Sequence, residues 1–180
     1  MRLRFRLFLL ILRLLLRNPA EGLAESVLAL RVLPNDVDVA KITNDRYIAL
    51  MDLGRMDLIF RMGLLRTMLR KRWAPVASFC TIRFRHPLRA FQKYLLRTRF
   101  IYWDDCTFYM QQDFERKGRI VATAYSCGTF LGENGAVKPQ EILTELGTPV
   151  TRSEMTEFIA MLQELDESIH REQKGKDPIV

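Results

Sequence analysis

In the stretch NDRYIALMDLGRMDLIFR, the residues Tyr47, Ile48, Met51, Leu58 and Ile59 recur at helical spacing. This period of about 3.6 predicts a helix over Asn44–Arg61. Asn44 is a good N-cap and Asp45 a good first-turn acid, because both favour the exposed amides and the positive end of the helix dipole. Gly54 costs about 1 kcal/mol against Ala in a helix interior, so its presence predicts that another backbone crosses very close there. Met62-Gly63 ends or kinks the helix, and residues 64–72 read as a short basic helical extension.

After Trp73 the period changes to 2. Cys80, Ile82 and Phe84 alternate with Phe79, Thr81, Arg83 and Arg85, and Tyr94, Leu96, Phe100 and Tyr102 share one face of residues 93–103. Residues 107–115 and 119–131 follow as two more strands, with hairpin turns at Trp103-Asp104-Asp105 and Lys117-Gly118. Ahead of the helix, residues 25–33 are short and apolar, a buried strand that Pro34-Asn35-Asp36 breaks. Pro139 opens a helix that Gly147 closes. Thr151 and Glu154 then form a capping-box pattern before a stripe of Phe158, Met161, Leu162, Leu165 and Ile169. A strand, a long helix and four antiparallel strands predict an α+β domain in which the helix is buried against a curved antiparallel sheet.

The charge is uneven. The 180 residues carry a net +7, but residues 1–17 hold +5, 18–60 hold −3, 61–99 hold +11 with no acid, and 100–180 hold −6. Without its first 17 residues the chain is only +2. The aromatics of the basic block follow the strand period instead of forming a stacking platform, so no nucleic-acid partner is expected. Cys80, Cys106 and Cys127 lack CxxC spacing and read as reduced, buried thiols. His86 and His170 stand far from any Cys or paired carboxylate, so neither a metal site nor a Ser-His-Asp triad is expected.

Residues 1–17, MRLRFRLFLLILRLLLR, are too often interrupted to supply the roughly 20 apolar residues of a spanning helix. On a helical wheel Arg2, Arg6, Arg13 and Arg17 fall within about 60°, with Leu and Phe around the rest. That pattern suits a helix lying in the headgroup layer of an anionic membrane. A signal peptide, or a helix packed on the protein's own core or an oligomer partner, are the other readings.

The loop from Leu33 to Asn44 is the most polar stretch framed by two buried elements. If it is extended, alternation puts Asp36 and Asp38 on one side, with a helix start within six residues. A helix N-terminus offers unpaired N–H groups to an oxyanion, and a nearby carboxylate can attack or activate water. By spacing alone, the Asp-x-Asp pattern is also compatible with a turn and cap device. Lys41 could meet a phosphate, neutralise Asp38 or simply be solvated. Asp52 and Arg55, at i and i+3, read as a structural ion pair.

The stretch NDVDVAKITNDRYIALMDLGRMDL, with TIRFRHPL, the WDD turn and VKPQEILTELG in order, resembles the 4-hydroxybenzoyl-CoA thioesterase-like branch of the hotdog superfamily, over about residues 27–147. The resemblance implies a hotdog fold, a long central helix wrapped by a curved antiparallel sheet. It also implies a homodimer or homotetramer with sites at subunit boundaries, and an acyl-CoA thioester as substrate, so that coenzyme A enters with the substrate and no separate cofactor is expected. It maps the base or nucleophile to Asp38 and the oxyanion amide to the N–H of Asn44. Asp36, Lys41, Thr43 and Tyr47 then line the substrate site, with Arg83 and Arg85 from the basic block. The sequence departs from the family's usual loop, with no Gly or His in Ala40-Lys41-Ile42-Thr43-Asn44 and one residue fewer between Asp38 and Tyr47.

Three segments are therefore expected: an amphipathic membrane-associating helix (1–17), a hotdog thioesterase-like domain (18–135) and a helical tail (136–180). The basic block is expected to face an anionic partner, either the phosphates of coenzyme A or, through Arg66, Arg70, Lys71 and Arg72, the membrane. The expected activity is thioester hydrolysis in the cytoplasm at the inner membrane face. The alternatives are a non-catalytic acyl- or lipid-binding hotdog and a structural membrane-associated scaffold.

Overall fold

A computed structural model describes residues 25–147 and 154–174. The leader helix expected over 1–17, the Thr151 cap and the residues after Lys174 lie outside them. In chain order come β1 (Ser26–Arg31), a 3-10 turn (Pro34–Asp36), β2 (Val37–Asp38), β3 (Lys41–Ile42), α1 (Asn44–Arg61), α2 (Leu64–Lys71), β4 (Ala74–Phe84), β5 (Lys93–Trp103), β6 (Phe108–Arg116), β7 (Arg119–Gly132), β8 (Gly135–Val137), α3 (Pro139–Leu146) and α4 (Glu157–Lys174). The main sheet runs β1-β5-β6-β7-β4, with β8 on β7, and its pairings are antiparallel. β2 and β3 pair only with each other. This is the hotdog arrangement, α1 lying in the concave face of the curled sheet.

α1 buries Tyr47, Leu50, Met51, Leu53, Leu58 and Ile59. Its N-terminal half packs with Leu96, Phe114, Ala122 and Ala124 of the sheet, and its C-terminal half with Trp73, Phe108, Phe130 and Ile142. At about 1.5–3 kcal/mol for each large apolar side chain buried, this seam is the main source of the domain's stability. The close approach predicted at Gly54 is present, but side chains make it: a Cβ there would collide with the Thr98 hydroxyl and stand 2.9 Å from Gln112 Nε2. Gly63, at φ 73, breaks α1 from α2.

Several expectations are corrected. The N-cap of α1 is Thr43, with Asn44 the first helical residue. β4 starts at Ala74, five residues before the alternating pattern begins at Phe79, because a register shift between Ala77 and Phe79 interrupts the period. Cys80 and Cys106 are exposed; Cys127 alone of the three is buried, and burial pushes its thiol up to about 12. Arg70, Lys71 and Arg72 do not extend a free basic surface. They meet Glu145, Glu141 and Glu133 at 2.9, 3.3 and 2.8 Å.

The C-terminal helix α4 covers the convex face of the sheet. Ile159 and Leu162 are its buried residues, Ile159 joining Tyr102, Tyr109 and Cys127. The predicted stripe is thus split: Leu162 turns inward while Phe158, Met161, Leu165 and Ile169 stay exposed. Thr156 Oγ1 accepts the Ile159 N–H at 3.3 Å. Asp104, in the β5–β6 turn, ties the helix down by accepting from Gln163 Nε2 at 3.0 Å and from the Tyr109 hydroxyl at 2.9 Å.

Candidate active site

The loop before α1 is built by local hydrogen bonds. Pro34 starts a 3-10 turn, and at its end Asp36 folds inward and is buried. Its Oδ2 accepts the Leu33 N–H at 2.9 Å, and its backbone carbonyl accepts the Thr43 N–H at 3.3 Å. The chain is therefore not extended between the two acids, and the expectation that Asp36 and Asp38 share one side is not met. Asp36 fastens the loop, while Asp38 is exposed on the β2–β3 hairpin directly across from Lys41. No ion pair joins Asp38 and Lys41 among the described residues. Two residues, Val39 and Ala40, turn this hairpin, with Val39 at φ 57 and the Ala40 N–H donating to the Asp38 carbonyl at 2.7 Å.

The hairpin is held against the loop after β4, where the Ile42 N–H donates to the Leu88 carbonyl at 2.9 Å. Leu88 also binds the Tyr47 hydroxyl through its backbone, and burial pushes that phenol above its ordinary 10.0. The Tyr47 ring stands edge-on to Phe114 at 4.9 Å and to Phe84 at 5.0 Å. Tyr47 is thus a buried post under the helix start.

At that start, the Thr43 hydroxyl bonds the Asp45 carboxylate and, with help from Arg46, holds it below its usual range. The Arg46 N–H donates to the Thr43 carbonyl at 3.1 Å. Among the described residues the Asn44 N–H has no acceptor, as a first-turn amide pointing out of the helix end must. Asp38, Lys41, Thr43 and Asn44 therefore gather at one loop–helix junction. Arg83 and Arg85 are exposed at the end of β4 but alternate with Phe84, the residue that contacts Tyr47, so they sit on the sheet face turned away from α1.

A second feature was not foreseen. An apolar pocket of about 330 Å³ lies between the middle of α1 (Asp52, Arg55, Met56, Ile59), the start of β4 (Pro75–Ala77) and the sheet floor at Phe100, Phe108 and Met110. Asp52 and Arg55 form the expected ion pair at its rim. Arg55 also donates to Gln112 Oε1 at 3.2 Å, and Gln112 Nε2, fully buried, donates to the Met51 carbonyl and Thr98 Oγ1, both at 3.0 Å. At 1.5 Å per residue the pocket begins about 12 Å along the helix from Asn44. Gly128 was the available signal: a glycine inside a strand marks close backbone approach, and a Cβ there would stand 2.5 Å from the Val76 carbonyl. No cluster of three or more His, Cys, Asp or Glu suited to a metal ion occurs among the described residues.

Comparison with known proteins fits this geometry. Residues 32–146 match the family model of the Thioesterase-like superfamily. Protein THEM6 of Xenopus laevis is 38% identical over 84 residues, which are 46% of this chain and 41% of that protein. The chain thus spans less than half the length of that relative. Among solved structures, a probable thioesterase from Bartonella henselae superposes with a TM-score of 0.59 at 20% identity, covering 64% of this chain and 98% of the other. A 1,4-dihydroxy-2-naphthoyl-CoA thioesterase from Synechocystis gives 0.59 at 12% identity, covering 70% of this chain and all of the other. With more than half of its length matched by the family model, and with the central helix, curled sheet and loop–helix junction in place, the chain belongs to the Thioesterase-like superfamily and has its hotdog fold.

Proposed function

We propose that this protein hydrolyses an acyl-CoA or other acyl thioester at the junction of the β2–β3 hairpin and α1. The observation that carries the reading is the Asn44 amide at the start of α1, without an acceptor among the described residues, six residues after the exposed Asp38 carboxylate. The thioester carbonyl oxygen sits at the Asn44 N–H. Asp38 takes a proton from water as the water oxygen bonds the carbonyl carbon, or attacks that carbon itself to form an anhydride that water then opens. The C–S bond breaks, and the thiolate of coenzyme A leaves and is protonated. The Asn44 dipole stabilises the oxyanion as charge develops. Thr43 and Tyr47 position the helix start, Asp36 the hairpin, and Lys41 offers charge to the phosphates of coenzyme A, whereas Arg83 and Arg85, on the face turned away from α1, are left out of this site.

A homodimer or homotetramer goes with this reading. β4 is an eleven-residue edge strand, exposed along nearly all its length and without an acidic residue. Such an edge calls for a partner strand, and a second copy of β4 supplies one. Residues 1–17 are proposed to hold the protein on the cytoplasmic, inner face of an anionic membrane; among the described residues no helix is long and apolar enough to cross one.

A non-catalytic acyl-binding role is the second reading, favoured by the apolar pocket lying apart from Asp38. Hydrolysis of short, long and aromatic acyl-CoAs by wild type and Asp38→Asn separates the two. Turnover by wild type that Asp38→Asn loses supports the hydrolase; equal inertness of both across the panel rejects it.

A further inference from the structure

The basic residues of the chain are sorted by the fold into two groups. Arg70, Lys71 and Arg72 are neutralised by acids at one end of the sheet. The strand register brings a different set to the other end. Arg31 pairs with Lys93, Leu95 with Glu115, Arg116 with Arg119, and Phe84 with Ala122, so the ends of β1, β4 and β5 and the β6–β7 turn lie side by side. Arg85, Arg89, Lys93, Lys117 and Arg119 are all exposed there. Of the nearby acids, Glu115 is held by Arg97 at 2.8 Å and Asp36 is turned inward, leaving Asp38 and Asp45 beside the helix start.

The same end carries two apolar side chains that have no reason to face water. Val39, at the tip of the hairpin, is 102% exposed, and Phe91, in the loop before β5, is 62% exposed. Both have left-handed backbones, at φ 57 and φ 64. A β-branched or aromatic residue is disfavoured in that region, and such strain persists where the surroundings impose it. The two loops are tied to one frame: Ile42 bonds Leu88, and the Phe91 N–H donates to the Val32 carbonyl at 2.8 Å. Apolar tips rimmed by five exposed bases against two exposed acids, Asp38 and Asp45, are complementary to an anionic lipid surface, where the tips enter the acyl boundary and the bases meet phosphates. A soluble polyphosphate uses the bases and leaves Val39 and Phe91 in water.

We infer that this end of the hotdog domain is a second membrane-contact site, in which Val39 and Phe91 insert into an anionic bilayer and Arg85, Arg89, Lys93, Lys117 and Arg119 bind its headgroups. The contact is made by the folded domain, separately from residues 1–17, and it sets the Asp38 hairpin at the lipid surface. It does not depend on hydrolysis.

The test uses the full chain with Cys106→Ser and Cys80→Ser, carrying an environment-sensitive fluorophore on Val39→Cys, on Phe91→Cys or, at the opposite end of the sheet, on Asp105→Cys. Each is titrated with phosphatidylcholine vesicles, with mixed phosphatidylcholine–phosphatidylserine vesicles and with inorganic phosphate. The expected result is a blue shift and protection from aqueous iodide at positions 39 and 91 on the mixed vesicles alone, with none at 105. Replacing Arg89, Lys117 and Arg119 together by Gln lowers affinity for those vesicles on the order of 100-fold. The inference is overturned if positions 39 and 91 stay open to iodide on anionic vesicles, if 105 is protected equally, or if phosphate alone gives the same shift. Acyl-CoA turnover measured on the same proteins without vesicles keeps this outcome separate from that of the hydrolase reading.

Discussion

Gly54 of α1 faces Thr98 of β5 so closely that any side chain at position 54 would collide with the threonine hydroxyl. The hydroxyl is not free to move aside, because it accepts from Gln112 Nε2, which also holds the Met51 carbonyl on the helix. Helix and sheet are therefore locked at one contact that is polar, buried and glycine-dependent. Gly54→Ala gains about 1 kcal/mol of helix propensity but forces this contact apart, which costs about 1–3 kcal/mol. The expected outcome in urea unfolding is a net loss of stability, and the double variant Gly54→Ala/Thr98→Ala recovers part of it.

Docking of α4 is expected to weaken in acid. Burial alone would raise the Asp104 pKa, but the N–H groups of Cys106 and Thr107, the Tyr109 hydroxyl and Gln163 outweigh it and hold the carboxyl below its ordinary 3.8. A depressed folded value means that the stabilisation is complete above 3.8 and is lost as pH falls through the folded value. Asp166, raised chiefly by burial, has the opposite sign, its contribution being full below 3.8 and lost as pH rises through its folded value. Hydrogen exchange over residues 157–172 should therefore quicken on acidification below that range, and Asp104→Ala should show the quickened exchange already at neutral pH, at a cost of about 1 kcal/mol.

The pocket on the middle of α1 is expected to set the preference for acyl chain length. A chain whose carbonyl sits at Asn44 reaches Met56 only if it is long, so Met56→Trp should raise KM for long-chain acyl-CoAs by about 10-fold and leave short-chain turnover unchanged. An equal loss for every chain length would show that the pocket is not on the acyl path.

If β4 pairs with its own copy, charges placed on it are brought against themselves. Val76→Lys with Thr81→Lys should shift the protein to monomer in light scattering, without loss of far-ultraviolet circular dichroism.

The elements with a sustained period were legible in the sequence. Residues 44–61, 93–103 and 139–146 fold between the bounds their patterns imply, and Gly63 and Gly147 end helices as glycines with positive φ do. The β2–β3 hairpin was not legible, since two residues per strand hold no period, and neither was the inward turn of Asp36, which depends on a 3-10 turn and on Thr43. The pocket escaped because its walls come from five elements, α1 and β4 to β7, spread over residues 52–130. The basic block misled for a similar reason: Arg70, Lys71 and Arg72 find their acids some 60 to 75 residues away, a pairing only the fold makes.

The most direct measurement of the central claim is kcat for Asn44→Pro beside wild type. Asn44 is the first residue of α1, where proline fits the helix and where Thr43 is already extended at φ −80, ψ 156, so the substitution removes the amide hydrogen and little else. If that N–H stabilises the oxyanion, kcat for a thioester that wild type turns over falls about 10²–10³-fold with stability unchanged. An unchanged kcat in a folded Asn44→Pro protein would contradict the account.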